Sequence, residues 1–273
     1  MPPPPSPPYA VGTTTTTLVD TTRLVYPPHT ADGKPDGRTL SVSTRYPALG
    51  TPASGEVPGA PPSTRTGPYP LVVFAPGYDQ TSQPYAAMLD AWARAGYVVA
   101  SPVFPLTNPA TPGGPDENDI VNQPADVSFV IGQLLAQSSD PGNYLRGMID
   151  PTEVALAGQS DGASTALAAA ADTCCKDARV KAEIIMAGQE IDISNGSYYP
   201  AGTPPLLAMQ GTDDTINDPG STYQLFDADP STKFLVKLIG ADHLSPFTDS
   251  PSFEPIVARV STDFLDHYLK NDV

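Results

Sequence analysis

Apolar and polar residues alternate in the first part of the chain and gather into apolar runs further along. The alternation over residues 18–26 and 38–46 predicts half-buried antiparallel strands at the edge of a sheet. The later runs are almost wholly apolar and partly β-branched, which is typical of strands covered on both faces. They predict buried strands over residues 71–74, 97–100, 154–157, 182–186, 206–209 and 234–239.

Helix-like segments separate these strands. Residues 85–95 and 125–138 lie between successive buried runs, and a last helix is predicted over residues 253–269. Alternating strands and helices indicate right-handed crossovers and a parallel sheet. We therefore expect an α/β fold in which one domain, residues 11–273, contains a doubly wound, mostly parallel sheet of about eight strands and five or six helices. The last helix carries its apolar stripe at Ile256, Val257, Val260, Phe264, Leu265 and Tyr268.

Two proline-rich stretches are predicted to lie outside this regular structure. Residues 1–10 are expected to be extended or disordered, and residues 46–70 to form a loop that joins two early strands. Fewer than about 20 residues separate the strand that ends near 187 from the next one, which is too few for a large helical lid. We therefore expect an open site.

The charge of the chain narrows its partners. With 30 acidic and 14 basic side chains, the net charge of −16 would repel a phosphate backbone, so no nucleic acid is expected to bind. No apolar run reaches the roughly 18 residues of a membrane span. The first residues lack the basic and apolar regions of a signal peptide and are typical of a mature terminus. We expect a monomer, and secretion as its localisation.

Cysteines and acidic clusters offer little for a metal site. Cys174 and Cys175 are neighbours, and a Cα separation of about 3.8 Å is below the usual disulfide range, so two thiols are predicted. The loop 107–122 contains Asp116, Glu117 and Asp119, which could border the site or hold a cation such as calcium. A solvated acidic loop is the favoured interpretation, and neither a metal nor a cofactor is expected.

The segment Gly158-Gln159-Ser160-Asp161-Gly162 is the strongest candidate for chemistry. It lies between a buried strand and an alanine-rich helical stretch, which is the context of a nucleophile elbow. The glycines allow a tight strand-to-helix turn that lifts Ser160 out of the sheet. The alternative is an ordinary turn with a helix-capping serine.

A serine nucleophile needs a base, and three histidines are available. His29 lies in an early Pro-Pro-His-Thr loop, and His267 lies near the end of the last helix, where its charge would interact favourably with the helix dipole. His243 follows the strand predicted over 234–239 and so lies at the carboxyl end of a sheet strand, where α/β sites are built. We therefore predict His243 as the base.

The acid that orients the base should follow a strand between Ser160 and His243. Asp213 and Asp214 both meet this condition, and spacing does not separate them. Asp242 is a weaker candidate because it directly precedes the histidine.

An oxyanion hole requires two converging backbone N–H groups. One is expected from Asp161, directly after the nucleophile, and the other from Tyr78, where Gly77 lets the backbone approach closely. The Tyr78 ring either lines the acyl pocket or packs on its loop.

Four segments together resemble those of dienelactone-hydrolase and platelet-activating-factor-acetylhydrolase-like α/β-hydrolases, a group that also contains cutinase-like polyester hydrolases. They are Ala-Pro-Gly-Tyr at 75–78, Gly-Gln-Ser-Asp-Gly at 158–162, Asp-Asp-Thr-Ile at 213–216 and Asp-His at 242–243. The resemblance covers the chain from about Leu71 to the end. It implies the α/β-hydrolase fold with the order Ser, acid, His, an oxyanion tyrosine after Pro-Gly, and a catalytic Asp before Thr-Ile. These features select Tyr78, and Asp214 over Asp213.

The departures from this pattern concern the substrate. Hydrolases of aromatic polyesters place a tryptophan where this chain has Gly188-Gln189, and the single Trp92 is expected in the core. Tyr78, Gln159 and Gln189 are the side chains expected to contact substrate. The resemblance implies a serine carboxylic ester hydrolase that works through an acyl-enzyme and accepts bulky or polymeric esters. The alternatives are a dedicated polyester hydrolase, a peptidase or amidase with the same triad, and a binding protein without activity.

Overall fold

One sheet runs through the described part of the chain. The computed structural model describes residues 8–26, 36–52, 55–64, 66–193 and 196–270. Within these ranges the sheet has nine strands, which are β1 Ala10–Leu24, β2 Gly37–Ala48, β3 Glu56–Pro58, β4 Tyr69–Ala75, β5 Val98–Val103, β6 Ile149–Gln159, β7 Val180–Met186, β8 Leu206–Gly211 and β9 Lys233–Leu238. Their order across the sheet is β3-β1-β2-β5-β4-β6-β7-β8-β9.

One strand of the nine, β2, runs in the opposite direction to the others. β2 is antiparallel to both β1 and β5, whereas all neighbours from β5 to β9 run parallel. This confirms the doubly wound, mostly parallel sheet. The ninth strand is β3, which pairs with β1 inside the stretch predicted as a loop. Three residues that end in proline carry no periodic signal, so β3 was not predictable from the pattern.

Helices cover both faces of the sheet. Buried residues of α1 (Ala86–Ala95) and α6 (Glu254–Lys270) form the core on one face with Phe74 and Met186. Buried residues of α2 (Gln123–Ser139) and α3 (Asp161–Ala171) form the core on the other face. Trp92 of α1 is buried, as predicted. No helix in the described ranges is long and apolar enough to cross a membrane. The helices are α1 Ala86–Ala95, α2 Gln123–Ser139, α3 Asp161–Ala171, α4 Pro219–Ala228, α5 Ser245–Thr248 and α6 Glu254–Lys270, and a 3₁₀ helix spans Glu117–Asn122.

The first strand begins earlier than predicted. β1 starts at Ala10 rather than at 18, because the threonines at 13–17 are β-branched and favour extended backbone although they are polar. Tyr9 and Ala10 are buried, and the Tyr9 ring packs edge-on against Tyr69 with 5.6 Å between centroids. These two residues therefore belong to the fold, whereas residues 1–7 of the predicted disordered segment lie outside the described residues.

The two cysteines contradict the prediction of free thiols. Cys174 and Cys175 form a disulfide bond although their Cα atoms are 3.8 Å apart. They lie in the turn after α3, where the Cys174 amide donates to Asp172 Oδ1 and the Cys175 amide to the Asp172 carbonyl. The prediction was wrong because it considered only the usual Cα separations and not the turn that brings the two sulfur atoms together.

Candidate active site

Ser160 occupies a turn that only glycine neighbours permit. It connects β6 to α3 with φ 56° and ψ −124°. A Cβ atom at Gly158 would lie 2.1 Å from the Gly162 carbonyl oxygen, and one at Gly162 would lie 1.9 Å from the Ala75 oxygen. The backbone of the turn therefore packs directly against the end of β4. This local geometry is that of the predicted elbow and not of an ordinary helix cap.

His243 reaches Ser160 from the segment after β9. Its Nε2 atom lies 2.9 Å from Ser160 Oγ. The segment can pass close to β8 because Gly211 has no side chain. A Cβ atom at this position would lie only 2.4 Å from the Ala241 oxygen. Of the other histidines, His267 is exposed on α6 with its ring edge-on to Tyr268, and His29 lies outside the described residues.

Asp214 lies on the other side of the imidazole. Its Oδ2 atom is 2.7 Å from His243 Nδ1, and it also accepts a hydrogen bond from Gln210 Nε2 at 2.9 Å. Its Oδ1 atom accepts from the backbone amides of Ile216 and Asn217, each at 2.9 Å. Because the side chain is fully buried and both oxygens are engaged, the carboxylate has one orientation.

The two alternative acids have other partners. Asp213 is exposed and accepts from the Thr212 hydroxyl at 3.1 Å. Asp242 accepts from the amide and hydroxyl of Ser245 at 2.8 and 2.9 Å, and from the Leu244 amide at 3.0 Å. The carboxylate that the structure brings to His243 is that of Asp214.

The two residues predicted to supply the oxyanion amides belong to segments that meet at Ser160. Asp161 directly follows Ser160, and a Cβ atom at Gly77, which precedes Tyr78, would be 3.3 Å from Ser160 Cβ. Among the described residues, neither the Tyr78 nor the Asp161 amide donates to a protein acceptor. The Tyr78 ring is held by its hydroxyl, which donates to the Pro115 carbonyl at 2.9 Å.

The Asp161 side chain adds a titratable group that the sequence prediction did not consider. Its Oδ2 atom is buried and has no hydrogen-bond partner among the described residues. Burial, reinforced by the nearby Glu117 carboxylate, raises the pKa of Asp161 to about 6, and His243 acts in the opposite direction. The Asp161 carboxyl therefore gains a proton at a higher pH than an exposed aspartate does.

The two glutamines expected to contact substrate lie at different depths. Gln159 is only 1% exposed, and its amide is occupied by Tyr85 and His243, so it lies beneath the site and not on its surface. Gln189 is exposed, and its backbone amide donates to Ser164 Oγ at 3.2 Å. Gly188 packs tightly on α3, which leaves no room for a side chain there.

The acidic loop 107–122 borders this region through the Pro115 contact with Tyr78. Its carboxylates do not converge. Asp116 caps the 3₁₀ helix through the Asn118 amide, whereas Asp119 is buried and pairs with Arg38 at 2.7 and 2.8 Å. The prediction of a solvated loop is wrong for Asp119, because its partner lies 81 residues away and leaves no local signal. Nowhere in the described ranges do three potential metal-ligating side chains group together.

Comparison with known proteins identifies the architecture. No protein-family model matches the chain, and no curated protein does. Among solved structures, the ferulic acid esterase from Streptomyces cinnamoneus superposes with a TM-score of 0.70 at 21% sequence identity, over 97% of this chain and 91% of that one. As 1169 solved chains match, the architecture is widespread and does not by itself define a substrate. The chain has the α/β-hydrolase fold.

Proposed function

We propose that the protein is a serine esterase that hydrolyses carboxylic esters through an acyl-enzyme on Ser160. The observation that carries this proposal is the continuous contact from Ser160 Oγ through His243 to Asp214, with distances of 2.9 and 2.7 Å. A serine hydroxyl becomes a useful nucleophile only when a neighbouring base accepts its proton. The imidazole is within reach, and a buried carboxylate holds its other nitrogen.

The reaction has two similar halves. Ser160 Oγ attacks the ester carbonyl while His243 Nε2 accepts its proton, and the resulting oxyanion is stabilised by the amides of Tyr78 and Asp161. When the tetrahedral intermediate collapses, the alcohol leaves with the proton from His243. Water then attacks the acyl-enzyme in the same way, and the acid is released. Asp214 accepts a hydrogen bond from the Nδ1–H group throughout, which keeps Nε2 directed at Ser160.

Bulky esters suit the surroundings of Ser160. The connection between β7 and β8, residues 187–205, has no helix in its described residues, which exclude 194 and 195. Tyr78 is 36% and Ile216 72% exposed, so apolar surface is available near the proposed nucleophile. The ferulic acid esterase similarity supports an ester, and among esters those of aromatic acids, in preference to a peptide. Polymeric esters are included in this proposal because of the open border.

The test is loss of turnover on removal of one hydroxyl. Ser160→Ala should abolish hydrolysis of p-nitrophenyl acetate while the circular dichroism spectrum and Tm stay unchanged. Ser128→Ala is the matched control, because this half-buried serine of α2 donates a hydrogen bond to Asp177 at 2.9 Å. It should keep full activity, as should His267→Ala. A fluorophosphonate should label Ser160 in the unmodified protein.

Two results would contradict the proposal. Turnover that persists in Ser160→Ala would show that another group is the nucleophile. Faster cleavage of peptide p-nitroanilides than of matched esters would favour a peptidase. A panel from acetate to ferulate and terephthalate esters, with polyester film as the last member, then defines the acyl group.

A further inference from the structure

A buried hydrogen-bonded chain lies under the proposed site and connects the three loops that meet at Ser160. The Tyr85 hydroxyl donates to Gln159 Oε1 at 2.8 Å, and Gln159 Nε2 donates to the His243 carbonyl oxygen at 3.0 Å. A Cβ atom at Gly77, in the loop after β4, would lie 2.8 Å from the same Gln159 oxygen. The hydrogen-bonded chain of side chains therefore runs from the loop after β4, through the residue before Ser160, to the loop that carries His243.

We infer that Tyr85 and Gln159 act together as a positioning pair that sets the His243 loop relative to the Gly77 loop. This inference rests on the proposed function, because it concerns the geometry between the proposed base and the proposed oxyanion amides. Gln159 Nε2 also lies 3.3 Å from His243 Nε2, the atom proposed to accept the Ser160 proton, whereas Tyr85 acts only through Gln159. Their role is exerted through His243 and through the backbone at 77–78.

The donors and acceptors of this hydrogen-bonded chain allow only one orientation of the Gln159 side-chain amide. An amide oxygen can only accept a hydrogen bond, so the Tyr85 hydroxyl donates its proton to Gln159 Oε1. The amide of Gln159 must then direct Nε2 to the opposite side, where the His243 carbonyl accepts its proton. Reversing the amide would put two acceptors together at His243. Tyr85 is fully buried and Gln159 nearly so, so water cannot readily replace either bond.

Gly77 shows how closely the two loops depend on this amide. A Cβ atom at position 77 would lie 2.8 Å from Gln159 Oε1 and 3.3 Å from the Gln159 carbonyl oxygen. The backbone of the loop after β4 thus rests directly on the Gln159 side chain. A displacement of that side chain would move the Tyr78 amide and the His243 loop at the same time.

The test compares Tyr85→Phe, Gln159→Met and the double variant. Each single change should lower kcat for p-nitrophenyl acetate by about 10- to 100-fold, which is the effect of a misplaced catalytic group. KM should change by less than about threefold, because acylation and deacylation use the same base and both become slower. The double variant should be no slower than the slower single variant, because either change interrupts the same chain.

Tyr97→Phe is the matched control. Tyr97 is also fully buried, and its hydroxyl donates to Asp266 at 2.6 Å, but it lies at the amino end of β5, on the opposite edge of the sheet. This variant should lose a comparable amount of thermal stability and keep its kcat. If Gln159→Met does not fold, Tyr85→Phe, which keeps the ring, carries the test together with the control.

The possible failures are distinguishable. Wild-type kcat in Tyr85→Phe, or effects of the two single changes that multiply in the double variant, would overturn the positioning pair. Equal losses of kcat in Tyr85→Phe and Tyr97→Phe would also overturn it, since any buried hydroxyl would then matter equally. Activity that persists in Ser160→Ala would instead refute the proposed function itself.

Discussion

Arg38 provides a direct measure of what buried charge contributes to this fold. The guanidinium is 1% exposed and makes two bidentate contacts. It donates to Asp126 at 2.6 and 2.7 Å and to Asp119 at 2.7 and 2.8 Å, and both carboxylates are buried as well. The three side chains join β2, the 3₁₀ helix and α2. Replacing the arginine by methionine would retain most of the volume and remove the cation that Asp119 and Asp126 share, while Arg23 would stay 2.7 Å from Asp126.

The expected cost follows from the loss of one partner in a buried ion pair, which destabilises proteins by about 3–5 kcal/mol. At about 2–4 °C per kcal/mol, the Tm of Arg38→Met should fall by about 6–20 °C. Burial raises the pKa of Asp126, and Arg38 opposes this effect. In the variant the Asp126 carboxyl is easier to bury when it is protonated. Its contribution to stability is therefore present at low pH and lost as the pH rises, so the loss should be larger at pH 8 than at pH 5.

Urea unfolding at both pH values measures this effect. Arg259→Met is the control, because Arg259 is 83% exposed and its contact with Asp263 is 3.6 Å long. Exposed pairs of this kind contribute less than about 1 kcal/mol. The reasoning is refuted if Arg38→Met costs no more than Arg259→Met, or if its cost is larger at pH 5 than at pH 8.

Two further predictions concern buried carboxyls. Burial raises the pKa of Asp161 to about 6, so its contribution to stability is lost as the pH rises, and Asp161→Asn should raise Tm more at pH 8 than at pH 5; a larger rise at pH 5 would contradict this. Glu183 is fully buried, neither of its oxygens has a hydrogen-bond partner among the described residues, and burial and then Asp229 raise its pKa well above the usual value. The contribution of Glu183 to stability is lost as the pH rises above the pKa of this carboxyl in the unfolded chain. Glu183→Gln should therefore stabilise the protein by about 1–3 kcal/mol at pH 8 and less at pH 5. Equal Tm shifts at the two pH values would contradict this.

The positions of the three proposed triad residues were predictable because they depend on strand order and local sequence. Parallel strands place their carboxyl ends at one edge, so residues that follow β6, β8 and β9 necessarily approach one another. The glycines around Ser160 mark the tight turn, and the same rule led to Gly77. Spacing did not separate Asp213 from Asp214, which differ only in which one turns inward.

Long-range partners were not predictable. Asp119 and Asp126 appear in the sequence as ordinary acidic residues, and only the folded chain brings Arg38 between them. Gln159 was expected to contact substrate, because nothing local indicates that Tyr85 occupies its side-chain oxygen. The disulfide of Cys174 likewise depends on the turn that follows α3. Each depends on contacts that a periodic pattern does not encode.

The segment 107–122 is attached at several points along its length. Asp119 is bound to β2 through Arg38, Pro115 is bound to Tyr78, and the Asp116 amide donates to the Leu106 carbonyl at 2.7 Å. This border of the proposed site therefore exists before any ester arrives, and the segment 107–122 is not a flap that has to be displaced at an oil–water boundary. Rates on sparingly soluble esters should consequently rise smoothly through the solubility limit, without the sudden increase that interfacial activation produces.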